Sequence, residues 1–61
     1  MLAYANANTV RYGNGTSFTA ISRSFTDIQD VVVNSGNIIV ADYSTVYVYG
    51  TGGNFIKSYD A

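Results

Sequence analysis

Cysteine, histidine, proline and tryptophan are all absent from this chain of 61 residues. Without cysteine the chain can form no disulfide, and without cysteine or histidine it lacks the common zinc ligands. A domain of this size buries only about 60% of the surface that its unfolded chain exposes, and it usually needs a disulfide, a metal or other chains for stability. We therefore expect it to be stabilised by association with other chains.

Charge is also scarce. Three basic and four acidic residues give a formal net charge of −1 at pH 7. No basic stripe is present that could neutralise phosphates, so we expect no nucleic-acid partner. No apolar run reaches the roughly 20 residues that span a bilayer, so we expect no membrane insertion. Abundant Asn, Ser, Thr, Gly and Tyr favour an extracellular or virion-associated location over a cytoplasmic one.

Groups that perform catalysis are few. Acid-base or nucleophilic chemistry would depend on aspartate, lysine, tyrosine or serine, and no serine has a partner base. Residues 13–18 and 50–55 are similar to a phosphate-binding glycine loop, but phenylalanine fills the last glycine position and no helix follows. We expect hairpin turns there, and we predict a protein that is not an enzyme and holds no cofactor or metal.

Hydrophobic patterning predicts an all-β fold with no helix. The apolar runs are short, rich in β-branched and aromatic residues, and bounded by Gly, Asn and Ser. Seven strands are predicted, joined by tight turns into an antiparallel meander. Their ranges are 1–4, 9–12, 17–21, 29–33, 37–41, 45–49 and 54–58.

A short pattern occurs twice, with Tyr, two Gly and Phe at matching positions. Residues 12–18 read YGNGTSF, and 37 residues later residues 49–55 read YGTGGNF. A period of this length is typical of stacked repeats, whose units bury their apolar faces against neighbours. We interpret the chain as one module in which a partial, three-stranded repeat precedes a complete, four-stranded one. The partial repeat covers 1–24, with strands in 1–21, and the complete repeat covers 25–61, with strands in about 28–58.

The strands of the complete repeat carry apolar residues on both faces. Residues 31–33, 38–40 and 46–49 do not alternate apolar with polar side chains, as a sheet with one wet face would. Such a sheet must be covered on both sides, as each blade of a β-propeller is covered by its neighbours. The last strand of each repeat is more polar, so we place it outermost and 29–33 innermost.

Residues 31–42, followed by 46–49 and 53–55, resemble one blade of an NHL-type β-propeller. The shared pattern is an apolar strand, a Gly-Asn turn, an apolar strand ending in Val-Ala-Asp, a third strand and Gly-x-Phe. The resemblance covers about 28–56 and, loosely, 1–24. The proline usual before the first strand is absent, and Tyr-Ser-Thr replaces the usual Asn/Arg elements after Val-Ala-Asp. The resemblance implies a propeller-like meander that is too small to close a propeller alone, and it leaves the function open.

Aspartates and tyrosines are the candidate binding groups. In the family that the chain resembles, Asp42 would cap the turn after the second strand by accepting hydrogen bonds from amides two residues on. Tyr43 and Tyr59 either stack on a sugar while polar neighbours bind its hydroxyls, or are ordinary exposed or interface aromatic residues. Asp27 and Asp30 flank the start of the innermost strand. There they cap the turn or, in a ring of copies, converge to hold a calcium ion or a polar ligand.

The remaining tyrosines and one asparagine have simpler expected roles. Tyr4, Tyr12, Tyr47 and Tyr49 fall within apolar strands, so we expect them to pack between sheets. Asn14 begins an Asn-Gly-Thr sequence, which fits an N-glycosylation acceptor and also an ordinary hairpin turn.

Two functions fit these features. The one we favour is a structural, self-assembling module that acts as a scaffold or interaction platform, with copies of itself or flanking repeats as partners. The alternative is a lectin-like propeller subunit that binds carbohydrate, or a segment of a longer propeller chain. An isolated chain would leave two apolar sheet faces in water, so we expect a monomer to aggregate or stay unfolded.

Overall fold

A computed structural model describes residues 1–60 of the chain, and these residues form strands and turns with no helix. This confirms the predicted all-β meander of seven antiparallel strands. The strands are β1 (Leu2–Asn6), β2 (Thr9–Gly13), β3 (Phe18–Ala20), β4 (Ile28–Asn34), β5 (Asn37–Asp42), β6 (Thr45–Tyr49) and β7 (Phe55–Asp60). They form a three-stranded sheet in the order β1-β2-β3 and a four-stranded sheet in the order β4-β5-β6-β7.

Some strand ends differ from the predicted ones. β1 continues to Asn6, because Asn6 still pairs with Thr9 across the turn. β7 starts at residue 55 rather than 54, because the Asn54 carbonyl accepts a hydrogen bond of 2.8 Å from the Gly50 amide and closes the preceding turn. β7 then runs on to Asp60, beyond the predicted end at residue 58.

In three hairpins, β1–β2, β4–β5 and β5–β6, a two-residue turn joins the two strands. In the turn between β4 and β5, Ser35 and Gly36 both have positive φ, 53° and 78°, as a type I′ turn requires. Ala7 and Tyr43, the first residues of the β1–β2 and β5–β6 turns, also have positive φ, at 56° and 53°. The left-handed region costs an L-residue other than glycine roughly 1 kcal/mol or more. These turns therefore set the strand register at a local energetic cost.

The hydrophobic core lies between the two sheets. Val10 from the three-stranded sheet and Ile38 and Val40 from the four-stranded sheet are completely buried. Phe25, from the linker that joins the two sheets (residues 21–27), is buried with them and meets the Tyr47 ring edge to face, with ring centroids 5.5 Å apart. Burying a side chain of this size stabilises the fold by about 1.5–3 kcal/mol, so these contacts hold the two sheets together.

The linker between the sheets is tied to a hairpin turn on each side. The Phe25 amide donates to the Asn8 carbonyl at 2.9 Å, and the Tyr43 amide donates to the Asp27 carbonyl at 2.9 Å. Asn8 belongs to the β1–β2 turn and Tyr43 to the β5–β6 turn. The linker therefore holds corresponding turns of the two sheets side by side.

The two sheets contain the same hairpin, but its two copies are 36 residues apart, whereas the copies of the repeated motif are 37 residues apart. All five residue pairs of β1–β2 recur in β5–β6 36 residues on; the pair Ala5–Val10, for example, recurs as Ala41–Val46. The motif recurs at 37 because the turn before β7 is one residue longer than the turn before β3: Gly13 pairs with Phe18, whereas its counterpart Tyr49 pairs with Phe55. A slip of one residue reverses the faces of a strand. The core-facing side of β1–β2 therefore corresponds to the outward side of β5–β6.

Candidate functional site

Asp42 is a buried carboxylate that holds the linker in place. Its side chain is 6% exposed and accepts hydrogen bonds from the backbone amides of Thr26, at 3.0 and 3.1 Å, and Asp27, at 2.6 Å. It does cap backbone amides, but these lie 15 and 16 residues earlier and not two residues ahead in its own turn, as the resemblance implied. The linker approaches this strand end in the folded chain, so it provides the nearest unpaired amides.

Asp27 and Asp30 lie on either side of the start of β4 and are both exposed. The Asp27 carbonyl accepts the Tyr43 amide, and Oδ1 of Asp30 accepts the Val31 amide at 2.9 Å. Residues 1–60 contain no group of three or more Asp, Glu, His or Cys side chains that could hold a metal ion. Within one chain, the Asp30 carboxylate therefore caps the adjacent amide, and Asp27 contributes its backbone carbonyl.

The two candidate tyrosines lie outside the core. Tyr43 is 73% exposed at the tip of the β5–β6 turn, and Tyr59 is 51% exposed on β7. Tyr59 and Asp30 lie at the same level of the four-stranded sheet, in a row of paired residues that runs across its outer face. Tyr59 is on one edge strand, β7, and Asp30 is on the other, β4. Strand spacing puts them roughly 14 Å apart. The structure therefore brings Asp27, Asp42 and Tyr43 together where the linker meets the β5–β6 turn, but it leaves Asp30 and Tyr59 on opposite edges of the sheet.

Asn14 shapes the first copy of the repeated motif. Its Oδ1 accepts hydrogen bonds from the Thr16 amide at 2.9 Å and the Ser17 amide at 3.1 Å. This is the hairpin-turn role that the Asn-Gly sequence suggested. Asn14 is also exposed, so its use as a glycosylation acceptor stays a prediction.

A cleft that the sequence did not suggest opens where the linker meets the four-stranded sheet. Its volume is about 410 Å³. The linker forms one wall, and β6, the following turn and the start of β7 form the other. The lining residues are Ile21, Ser22, Arg23, Tyr49, Gly53 and Phe55.

Arg23 is the charged group of this cleft, and aromatic rings fix its position. Its Nε donates a hydrogen bond of 2.7 Å to the Tyr49 hydroxyl. Its guanidinium carbon lies 4.5 Å from the Tyr47 ring centroid and 5.7 Å from that of Phe55, which are cation–π distances. The hydrogen bond to Tyr49 raises the pKa of Arg23 above its ordinary value, so the side chain stays cationic. No repeat or motif marks Arg23, because its partners lie 24 or more residues away in sequence.

Next to the cleft, Tyr12 of the three-stranded sheet contacts the turn of the four-stranded sheet that contains Gly53. The Tyr12 hydroxyl donates a hydrogen bond of 2.9 Å to the Gly52 carbonyl. Gly53 has a φ of +78°, and a Cβ built on it would lie 2.5 Å from the Tyr12 hydroxyl oxygen. Glycine is therefore required at this close approach, and the tyrosine of the first motif locks onto the turn of the second.

The outer faces of both sheets carry apolar side chains. On the three-stranded sheet, Leu2, Tyr4 and Phe18 are exposed, and the rings of the last two meet edge to face at 5.1 Å. The expectation that Tyr4 packs between the sheets is therefore wrong for this chain. Its strand alternates, so Ala3 takes the inward position. Tyr12, Tyr47 and Tyr49 do face the core, as expected.

The outer face of the four-stranded sheet is apolar along two rows. Exposed Val32 pairs with Ile39, which pairs with Val48, and Val46 belongs to the neighbouring row. These residues alternate with the core residues of the same strands and so point away from the core.

Comparison with known proteins yields no relative. No known protein family, curated protein or solved structure matches this chain. Residues 1–60 include no helix that could cross a membrane.

Proposed function

We propose that the chain is a structural module that assembles with copies of itself. In this proposal, the outer face of the three-stranded sheet in one copy docks against the outer face of the four-stranded sheet in the next. The observation that carries it is the 36-residue correspondence between the hairpins β1–β2 and β5–β6.

Through this correspondence, the outer face of the four-stranded sheet is the counterpart of the inner face of the three-stranded sheet. The outer face of the three-stranded sheet is likewise the counterpart of the inner face of the four-stranded sheet. Inside the chain, Val10 of the three-stranded sheet packs with Ile38 and Val40 of the four-stranded sheet. The counterpart of Val10 is Val46, on the outer face of the four-stranded sheet.

The counterparts of Ile38 and Val40 are Leu2 and Tyr4, on the outer face of the three-stranded sheet. A contact between copies would thus repeat the arrangement that already packs within one copy.

This contact joins two different surfaces and is therefore head-to-tail. Such contacts close into rings when the rotation between copies allows it, and otherwise extend as filaments. A closed ring of these sheets would be a β-propeller, which is the architecture that the resemblance to NHL-type blades implies. It would also remove from water the exposed parts of Leu2 and Phe18, which are 57% and 37% exposed, at a gain of roughly half of the 1.5–3 kcal/mol that burial of a fully exposed side chain provides.

Light scattering tests the proposal. We expect a folded sample to have a particle mass several times the chain mass of 6.6 kDa. A well-folded monomer at micromolar concentration would overturn it.

A carbohydrate-binding subunit is the second candidate, favoured by the Arg23 cleft with its aromatic walls. Aromatic faces beside polar groups are suited to the mixed polarity of sugars. A glycan array probed with the assembled protein tests this candidate, and the absence of binding to any glycan would remove it.

A further inference from the structure

We infer that the Arg23 cleft binds an acidic sugar, with the carboxylate of a hexuronate residue paired to Arg23 and the sugar ring against Phe55. The inference rests on the carbohydrate-binding candidate and is independent of self-assembly. It names the class of sugar and the group that would recognise it.

Arg23 keeps hydrogen-bond donors that a ligand can use. A guanidinium has five N–H donors in a planar fork, and Tyr49 engages the one on Nε. The terminal amino groups keep donors that can form paired hydrogen bonds with a carboxylate. The cleft lining contains no acidic residue, so nothing in the lining neutralises this charge.

The guanidinium fork of Arg23 is held in place before a ligand arrives. The hydrogen bond from Nε to Tyr49 and the cation–π contact with Tyr47 hold the guanidinium in position. A ligand then loses less affinity to the ordering of this long side chain. A single cation matches the single negative charge of a carboxylate, whereas phosphate sites usually add a helix N-terminus or further cations.

The rest of the cleft offers both apolar and polar contacts. Phe55 offers an exposed ring, Ser22 a hydroxyl, and Gly53 a wall without a side chain. A volume of about 410 Å³ lies within the range of about 300–1,000 Å³ that is typical of small-molecule sites. An apolar ring face beside a hydroxyl donor and a cation suits a sugar ring that carries one carboxylate.

Calorimetric titration of the assembled protein with D-glucuronate tests the inference, with glucose and benzoate as comparison ligands. We expect glucuronate to bind at least tenfold more tightly than either. R23Q should weaken glucuronate binding at least tenfold. K57Q, which removes an exposed positive charge on β7 away from the cleft, should leave it within twofold. Equal binding of glucose would exclude a role for Arg23, and equal binding of benzoate would exclude the sugar class. No binding of glucuronate would overturn the inference.

A second variant, Y49F, tests the role of Arg23 even if R23Q does not fold. Y49F keeps the buried ring but removes the hydroxyl that fixes Nε, so we expect glucuronate binding to weaken two- to tenfold while circular dichroism stays unchanged. Unchanged affinity in Y49F would contradict the argument from a fixed fork. Light scattering on the same samples separates the two proposals, because loss of glucuronate binding with unchanged particle mass leaves self-assembly standing.

Discussion

The Tyr12 hydroxyl donates a hydrogen bond to the Gly52 carbonyl oxygen 2.9 Å away, across 40 residues of sequence. Tyr12 begins the first copy of the repeated motif, and Gly52 lies in the turn of the second copy. The two copies are therefore in direct contact, and the tyrosine ring occupies the space that a side chain at Gly53 would need.

Replacement of Gly53 by alanine should destabilise the protein. The new Cβ would lie 2.5 Å from the Tyr12 hydroxyl oxygen, and the φ of +78° is unfavourable for alanine. Together these effects should lower the free energy of unfolding by about 1–3 kcal/mol, measured by thermal unfolding followed by circular dichroism. Gly52→Ala is the matched control, because its nearest neighbour would be Asn54 Oδ1 at 3.7 Å. Equal effects of the two variants would contradict this account.

Asp42 should contribute strongly to stability because it satisfies two backbone amides of the linker. Asp42→Ala leaves the amides of Thr26 and Asp27 without a partner, and we expect a loss of about 2–4 kcal/mol in urea unfolding. Asp30→Ala removes an exposed carboxylate that accepts one hydrogen bond, and should cost under about 1 kcal/mol. Similar costs for both would show that the linker does not depend on Asp42.

Tyr43 adopts a backbone conformation that suits asparagine better. Its φ of 53° is in the left-handed region, which asparagine tolerates far better than a bulky residue, and its side chain is mostly exposed. Tyr43→Asn should therefore raise stability by about 0.5–1 kcal/mol, seen as a higher Tm. Ser44→Asn, at the next position of the same turn, should change the Tm little. A lower Tm for Tyr43→Asn would mean that the tyrosine ring makes a stabilising contact.

The fold was predictable because it depends on local patterns. β-branched runs separated by Gly, Asn and Ser define the strands, and tight turns join neighbours in sequence order. The 36-residue hairpin correspondence was not predictable, since it depends on positive φ at Ala7 and Tyr43, residue types that do not signal such a turn. The Arg23 cleft and the amides held by Asp42 were missed for another reason: both depend on tertiary contacts between the linker and the second sheet.

A single charge placed on either outer face should block assembly, and the two variants that result should each lose a different one of the two docking faces. Tyr4→Asp puts a charge on the outer face of the three-stranded sheet, and Val32→Asp puts one on that of the four-stranded sheet, because both side chains are exposed there. Burying an unpaired charge in an apolar contact costs several kcal/mol, so each variant alone should fail to form large particles. Ser24→Asp, in the exposed linker, is the matched control and should assemble as the unmodified chain does.

The most direct test of head-to-tail assembly is the particle mass, by light scattering, of an equimolar mixture of the Tyr4→Asp and Val32→Asp variants. Each variant keeps one intact outer face, and the two intact faces are the complementary pair. We expect a folded species of two chains that grows no further, while the unmodified chain of 6.6 kDa forms larger particles. A mixture that stays at the mass of its separate components, or an unmodified chain that is a folded monomer, would contradict it.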